Sequence, residues 1–214
     1  MNITAASLLT VQAYSLNRRE HRARLVAHRR ARSLAFGPSM FLQFEDELTV
    51  RYQIQEVLRL ERAGDVLAMQ QEIDTWSHLV PDGTQWKATL LIELPEATER
   101  ARRVAALSEA AHELYVSAGT RSRIVASAND DLPDRHLTRP SGVHFLCFQL
   151  PETFRAAMLA GKPARIGCAH PDYAVETAIP AGVLRQLARE LTLPRKRCDT
   201  EPANELGNPF LLPA

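Results

Sequence analysis

The chain is short of cysteine, aromatic residues and lysine, and it has no long apolar run. Three cysteines occur in 214 residues, Cys147, Cys168 and Cys198. An odd number with no CxxC spacing fits reduced thiols and excludes a disulfide framework or a zinc knuckle. Charges interrupt every hydrophobic stretch before the roughly 18 to 20 apolar residues of a bilayer span are reached. The segment Met1 to Leu16 has no basic residue ahead of its apolar positions and no small-residue cleavage site, so it does not read as a secretory signal. The expected location is therefore the cytoplasm. No catalytic or cofactor motif is strong enough to identify a reaction.

What is present describes a soluble chain able to bury a core. Hydrophobic residues make up 45% and charged residues 24%, with Lys+Arg 26 against Asp+Glu 25, which excludes a disordered or collagenous chain. Arginine outnumbers lysine 23 to 3. The first explanation is coding bias, and the second is selection for bidentate anion contacts.

Hydrophobic periodicity gives an order of elements. A helix is expected from Ser7 to about Arg32, with Asn17 as a break point. A β-hairpin around Gly37-Pro38 follows, then helices over Leu48 to Arg62 and Asp65 to Leu79, with Gly64 as the stop between them. Strict alternation from Trp86 to Leu94 predicts a strand with one strongly apolar face, and a helix follows from Glu96 to His112. Further strands are expected at Glu113 to Ala118, Arg121 to Ser127, Val143 to Leu150, Ala164 to Ala169 and Tyr173 to Ile179. Helices are expected at Glu152 to Leu159 and Pro180 to Leu193, with a loop over Asn129 to Pro140. Strands and helices mix without a strict βα rhythm. The expected fold class is α+β, with a mixed, largely antiparallel sheet packed by helices and a helical N-terminal portion. Residues 1–193 are expected to form one domain and 194–214 an extended or disordered tail.

Several stretches resemble one known family: AHRRARSLAFGP, FEDELTVRYQIQEVLRLER, LVPDGTQWKATLLIELP, VHFLCFQLP and AHPDY. They are similar to the bacterial family catalogued as domain of unknown function 3501. The resemblance runs over about residues 8 to 193 and is densest between Ala27 and Pro95. Its members are often encoded beside rubrerythrin and a heterodisulfide-reductase-like iron–sulfur protein. The resemblance therefore implies an accessory factor in a redox or iron–sulfur electron-transfer setting.

Five residues could carry chemistry in such a setting. On a helical wheel Val50, Ile54, Val57, Leu58 and Glu61 share a side, and a carboxylate on an apolar face must be paired, protonated or metal-bound. Tyr52, Glu56 and Arg59 project from another face, where an i,i+3 pair reads as a surface bridge. Glu93 and His144 each share a strand face with apolar neighbours. Adjacent strands would let them meet as general base and orienter or as metal ligands. A lone histidine among aromatics is otherwise a hydrogen-bonded core residue. In His170-Pro171-Asp172-Tyr173 the proline fixes a turn that holds an imidazole and a phenol close together, for proton transfer or simply as a β-turn. Glu109-x-x-His112 has di-iron spacing, but only one copy exists.

The expected site is one pocket of His144, His170, Tyr173, Glu93 and Glu61, with His144, His170 and Glu93 holding a divalent metal. The alternative is that these residues lie on opposite faces of the sheet. A second reading, from another class, is a protein-docking module in which Arg18, Arg22, Arg29 and Arg32 share one face of the first helix. Nucleic acid is the weakest reading, because no DNA or RNA motif accompanies those arginines.

Overall fold

The computed structural model describes residues 3–62, 65–119, 123–128 and 141–192. The loop expected over 129–140, the stop at Gly64 and the tail expected over 194–214 lie outside the described residues.

A one-turn helix at Ala5–Ser7 leads into α1, Val11–Arg30. With no proline or glycine inside it, α1 runs unbroken through Asn17, whose side-chain amide donates back to the Ala13 carbonyl (3.1 Å). Thr10 caps its N-terminus through the Ala13 N–H, and His28, Arg29 and Arg30 in the last turn suit the negative end of the helix dipole. The hairpin strands β1 (Ser33–Phe36) and β2 (Met40–Phe44) follow. Then come α2 (Glu47–Glu61), started by an Asp46/Thr49 capping box, and α3 (Val66–Trp76).

The chain continues through β3 (Gln85–Ile92), α4 (Ala97–Ala110), β4 (Leu114–Ala118), β5 (Arg123–Val125) and β6 (Ser127–Ala128). It closes with β7 (Val143–Gln149), α5 (Glu152–Leu159), β8 (Ala164–Cys168), β9 (Glu176–Ala178) and α6 (Ala181–Ala188).

The strands form two antiparallel sheets, ordered β1-β2-β3-β7-β6 and β5-β4-β8-β9. The fold is α+β, as the sequence implies. One apolar cluster joins the two sheets: Phe44, Trp86, Leu90 and Phe148 from the first, Val116 and Ile166 from the second, with α4, α5 and α6 closing it. A second cluster lies on the other face of the first sheet. There Val50, Ile54 and Leu58 of α2 meet Ile73 of α3, and Phe145 of β7 packs against them. The first sheet is therefore covered on both faces, and the register assigns its residues to one or the other. Leu90 pairs with His144, so even-numbered residues of β3 and β7 face the larger cluster and odd-numbered ones face α2 and α3.

One expected strand is shorter than its pattern. Pro171–Tyr173 is a single helical turn rather than the beginning of a strand, and β9 starts only at Glu176. Proline fixes φ in the helical range, and His170 caps the turn by accepting the Asp172 N–H at Nδ1 (3.2 Å). Among the described residues, no helix is long and apolar enough to cross a membrane.

Candidate functional site

The residues expected to share a pocket do not converge. Glu61 is the last residue of α2 and is exposed. The wheel placed its direction correctly, since Val50, Ile54 and Leu58 are buried, but α2 runs past the layer it packs on and Leu60 beside Glu61 is exposed as well. Glu93 is also exposed. Strands β3 and β7 are adjacent, yet the Leu90 to His144 register sends Glu93 to the opposite face from His144.

His144 is 2% exposed, with Nε2 2.8 Å from the Ser141 carbonyl and 3.2 Å from Ser108 Oγ. A carbonyl can only accept, so Nε2 carries the hydrogen and cannot draw a proton from Ser108. His144 thereby ties the start of β7 to α4. Tyr173 is buried, donates to the Phe36 carbonyl (2.5 Å) and accepts the Ser39 N–H (3.1 Å). Both capacities of the hydroxyl hold the β1–β2 hairpin, and burial pushes the phenol's pKa up. Among the described residues, no three His, Cys, Asp or Glu side chains are grouped as metal ligands, so His144, His170 and Glu93 do not form one ligand set. The Cys147 thiol donates to Gln85 Oε1 (2.8 Å) and the Cys168 thiol to the Ala110 carbonyl (3.4 Å).

The arginine face is also redistributed. Arg32 is 2% exposed and is a structural clamp, a correction to its place on a docking surface. Its Nε donates to the Phe44 carbonyl (2.9 Å) and Nη2 to the Glu45 carbonyl (3.0 Å), while both Nη atoms grip Glu190 and Nη1 lies 3.0 Å from Asp46. Five donors in a fixed fork suit this task as a lysine could not. Arg18 pairs through two hydrogen bonds with Glu56 of α2 (2.8 and 2.9 Å), and Arg29 is half-buried. Only Arg22 of the four is exposed. The exposed cations of α1 are Arg19, Arg22, Arg24 and Arg30, and among the described residues none has a carboxylate within 4.0 Å.

The seam that holds α1 consists of Tyr14, Arg18, His21, Leu25 and His28, at alternating spacings of four and three. Only Tyr14 and Leu25 of α1 are buried. At the N-terminal end of the seam, Glu56 accepts from the Tyr14 hydroxyl (2.6 Å), Arg18 and Arg59 (3.2 Å). Burial opposes its charge, but the hydrogen bonds from Arg18, Tyr14 and Arg59 prevail and lower its pKa to about 2. At the far end of α1, His28 meets Asp46 at 2.6 Å.

The chain before α1 folds back along α2 as a strap. Gln55 receives the Leu9 N–H (2.8 Å) and donates to the Leu9 carbonyl (3.2 Å), and Arg51 donates to the Ser7 carbonyl (2.7 Å). Strap, α1 and α2 line a cavity of about 200 Å³ that is partly open to solvent. Tyr14, Glu56 and the strap anchors were not anticipated from the sequence. The one available signal was the four-three spacing of Tyr14, Arg18, His21, Leu25 and His28, a helix seam written mostly in polar residues.

Comparisons with known proteins agree with this architecture. Residues 2–191 match the family described as "Protein of unknown function (DUF3501)". A crystal structure of a novel protein of unknown function from Burkholderia pseudomallei is similar at 38% identity. The match covers 90% of this chain and 100% of that one, with a TM-score of 0.86. No curated protein matches the chain. With the match spanning both sheets and the helical layer from α1 to α6, the chain belongs to the DUF3501 family.

Proposed function

We propose that the protein is a docking module that presents the outward face of α1 to an acidic surface of a partner protein. The observation that carries this reading is the stripe Leu16, Arg19, Arg22, Val26 and Arg30. Its arginines are exposed and without carboxylate partners among the described residues, and its Leu16 and Val26 are 85% and 43% exposed. Six arginines against one glutamate give α1 a net charge of +5, and a whole-chain charge of +1 leaves −4 for the remainder. Positive charge is thus concentrated on one helix and would steer it towards a negative surface. Exposed aliphatic groups between the arginines favour a protein over a phosphate backbone, since interface cores combine apolar and arginine contacts. The redox setting implied by the family resemblance supplies a class of partner, an iron–sulfur or rubrerythrin-like protein, for which the module would be an accessory.

The test uses a labelled amphipathic peptide helix with glutamates flanking a leucine stripe, read by fluorescence anisotropy at about 0.15 M salt, where the Debye length is about 8 Å. The peptide binds the intact protein. Arg19→Glu, Arg22→Glu and Arg30→Glu combined abolish binding, and Leu16→Ser weakens it. Duplex DNA binding as tightly as the peptide in the same buffer, or peptide binding indifferent to the triple reversal, would overturn the reading.

A further inference from the structure

The inward side of α1 points to a different activity, independent of the docking surface. We infer that the cavity between α1, α2 and the strap is a binding site for a small carboxylate with a compact apolar body. Leu9, Tyr14, Leu25, Leu48 and Tyr52 supply its apolar and aromatic wall, and His21, Arg24 and Arg51 line it as well. Tyr14 is held rigid by stacking on His21 (centroids 5.4 Å apart), by Tyr52 edge-on (6.3 Å) and by its hydroxyl bond to Glu56.

Charge at the cavity is one-sided. Arg51 is engaged by Glu47 (2.7 Å) and Ser7, but Arg24 has no ion pair and the His21 imidazole no hydrogen-bond partner among the described residues. Two unengaged nitrogen donors beside an aromatic wall fit an anionic head on an apolar ring, with the planar guanidinium matching a carboxylate. Size narrows the class further. A cavity of about 200 Å³ is below the roughly 300 to 1,000 Å³ typical of drug-sized ligands, whereas roughly 150 Å³ accommodates a benzene ring. The cavity therefore takes one ring or a short branched chain plus a carboxylate.

The test is titration calorimetry of the full chain with sodium phenylacetate, acetate and the neutral isostere phenylacetamide. Phenylacetate binds with one-to-one stoichiometry, and acetate and phenylacetamide bind roughly tenfold or more weaker, the loss expected for a charge-assisted hydrogen bond or a buried ring. Arg24→Gln, at an exposed position that leaves the fold intact, brings phenylacetate down to the level of phenylacetamide. Amide chemical-shift changes on titration cluster in residues 7–25 and 48–55. Equal affinity for all three probes, an unchanged Arg24→Gln variant, or shift changes elsewhere in the chain would each overturn the inference. Loss of peptide docking on α1 would leave it standing, so the two proposals fail separately.

Discussion

Glu56 ties α1 to α2, because three donors from the two helices meet on one carboxylate. Its pKa of about 2, against an ordinary value of 4.5, makes the folded state favour the ionised form. A carboxylate depressed in this way stabilises the fold above its unfolded pKa and loses that contribution as pH falls towards its folded one. The contribution is at most about 2 kcal/mol once solvent screening of the half-buried Arg18 is allowed for. In urea unfolding, wild type is expected to exceed Glu56→Gln by this amount at pH 7. The advantage shrinks between pH 4.5 and about 2. A difference that stays flat across that interval would remove Glu56 from this role. Glu56 was assigned to a surface bridge because an i,i+3 spacing on one helix reveals nothing of the residues α1 brings across. Arg32 was misread because it was put on the face of a helix that ends at Arg30: the chain has already turned towards β1, and the guanidinium is buried against the Phe44 and Glu45 carbonyls and Glu190.

At the scale of elements, the turn after β8 and the β1–β2 hairpin are locked together through one side chain, Tyr173. Gly37 has φ of +64°, and a Cβ there would lie 2.5 Å from the Tyr173 hydroxyl oxygen. The left-handed backbone and the close approach both demand glycine. Gly37→Ala is expected to cost about 1 to 2 kcal/mol for the backbone alone, plus the clash. Tyr173→Phe leaves the Ser39 N–H and Phe36 carbonyl without this partner, at about 1 to 3 kcal/mol. Removing the hydroxyl also removes the nearest atom of the clash, so the double variant should be less destabilised than the sum of the two, as a denaturant double-mutant cycle would show. Strict additivity would mean that the hairpin and the turn are not coupled through this oxygen. The elements themselves were legible where the pattern is local: alternation over Trp86 to Leu90, the Gly37-Pro38 turn, and the helical periodicity over Leu48 to Arg62. Tyr173 was placed at the start of a strand running to Ile179, while its proline and histidine neighbours impose a helical turn.

Across the whole molecule, the two apolar clusters divide the labour. The larger one binds both sheets, and the smaller one holds α2 and α3 on the free face of the first sheet, with α1 laid outside through Tyr14, Leu25 and polar links. This arrangement explains why the candidate site escaped a reading of single residues. Its groups come from strap, α1 and α2, which local periodicity identifies as separate helices but does not bring together. The layering also sets an order of local stability, since a helix with two buried residues opens at lower free energy than strands covered on both faces. Amide hydrogen exchange should therefore be faster in α1 than in β3 and β7. The Glu56→Gln variant distinguishes local opening from global unfolding. If α1 opens by itself, exchange rises along Val11–Arg30 and at the Leu9 strap while β3 and β7 keep their wild-type rates. If rates instead rise equally in all of them, α1 unfolds only with the sheets, and its polar seam is part of the same cooperative unit as the core.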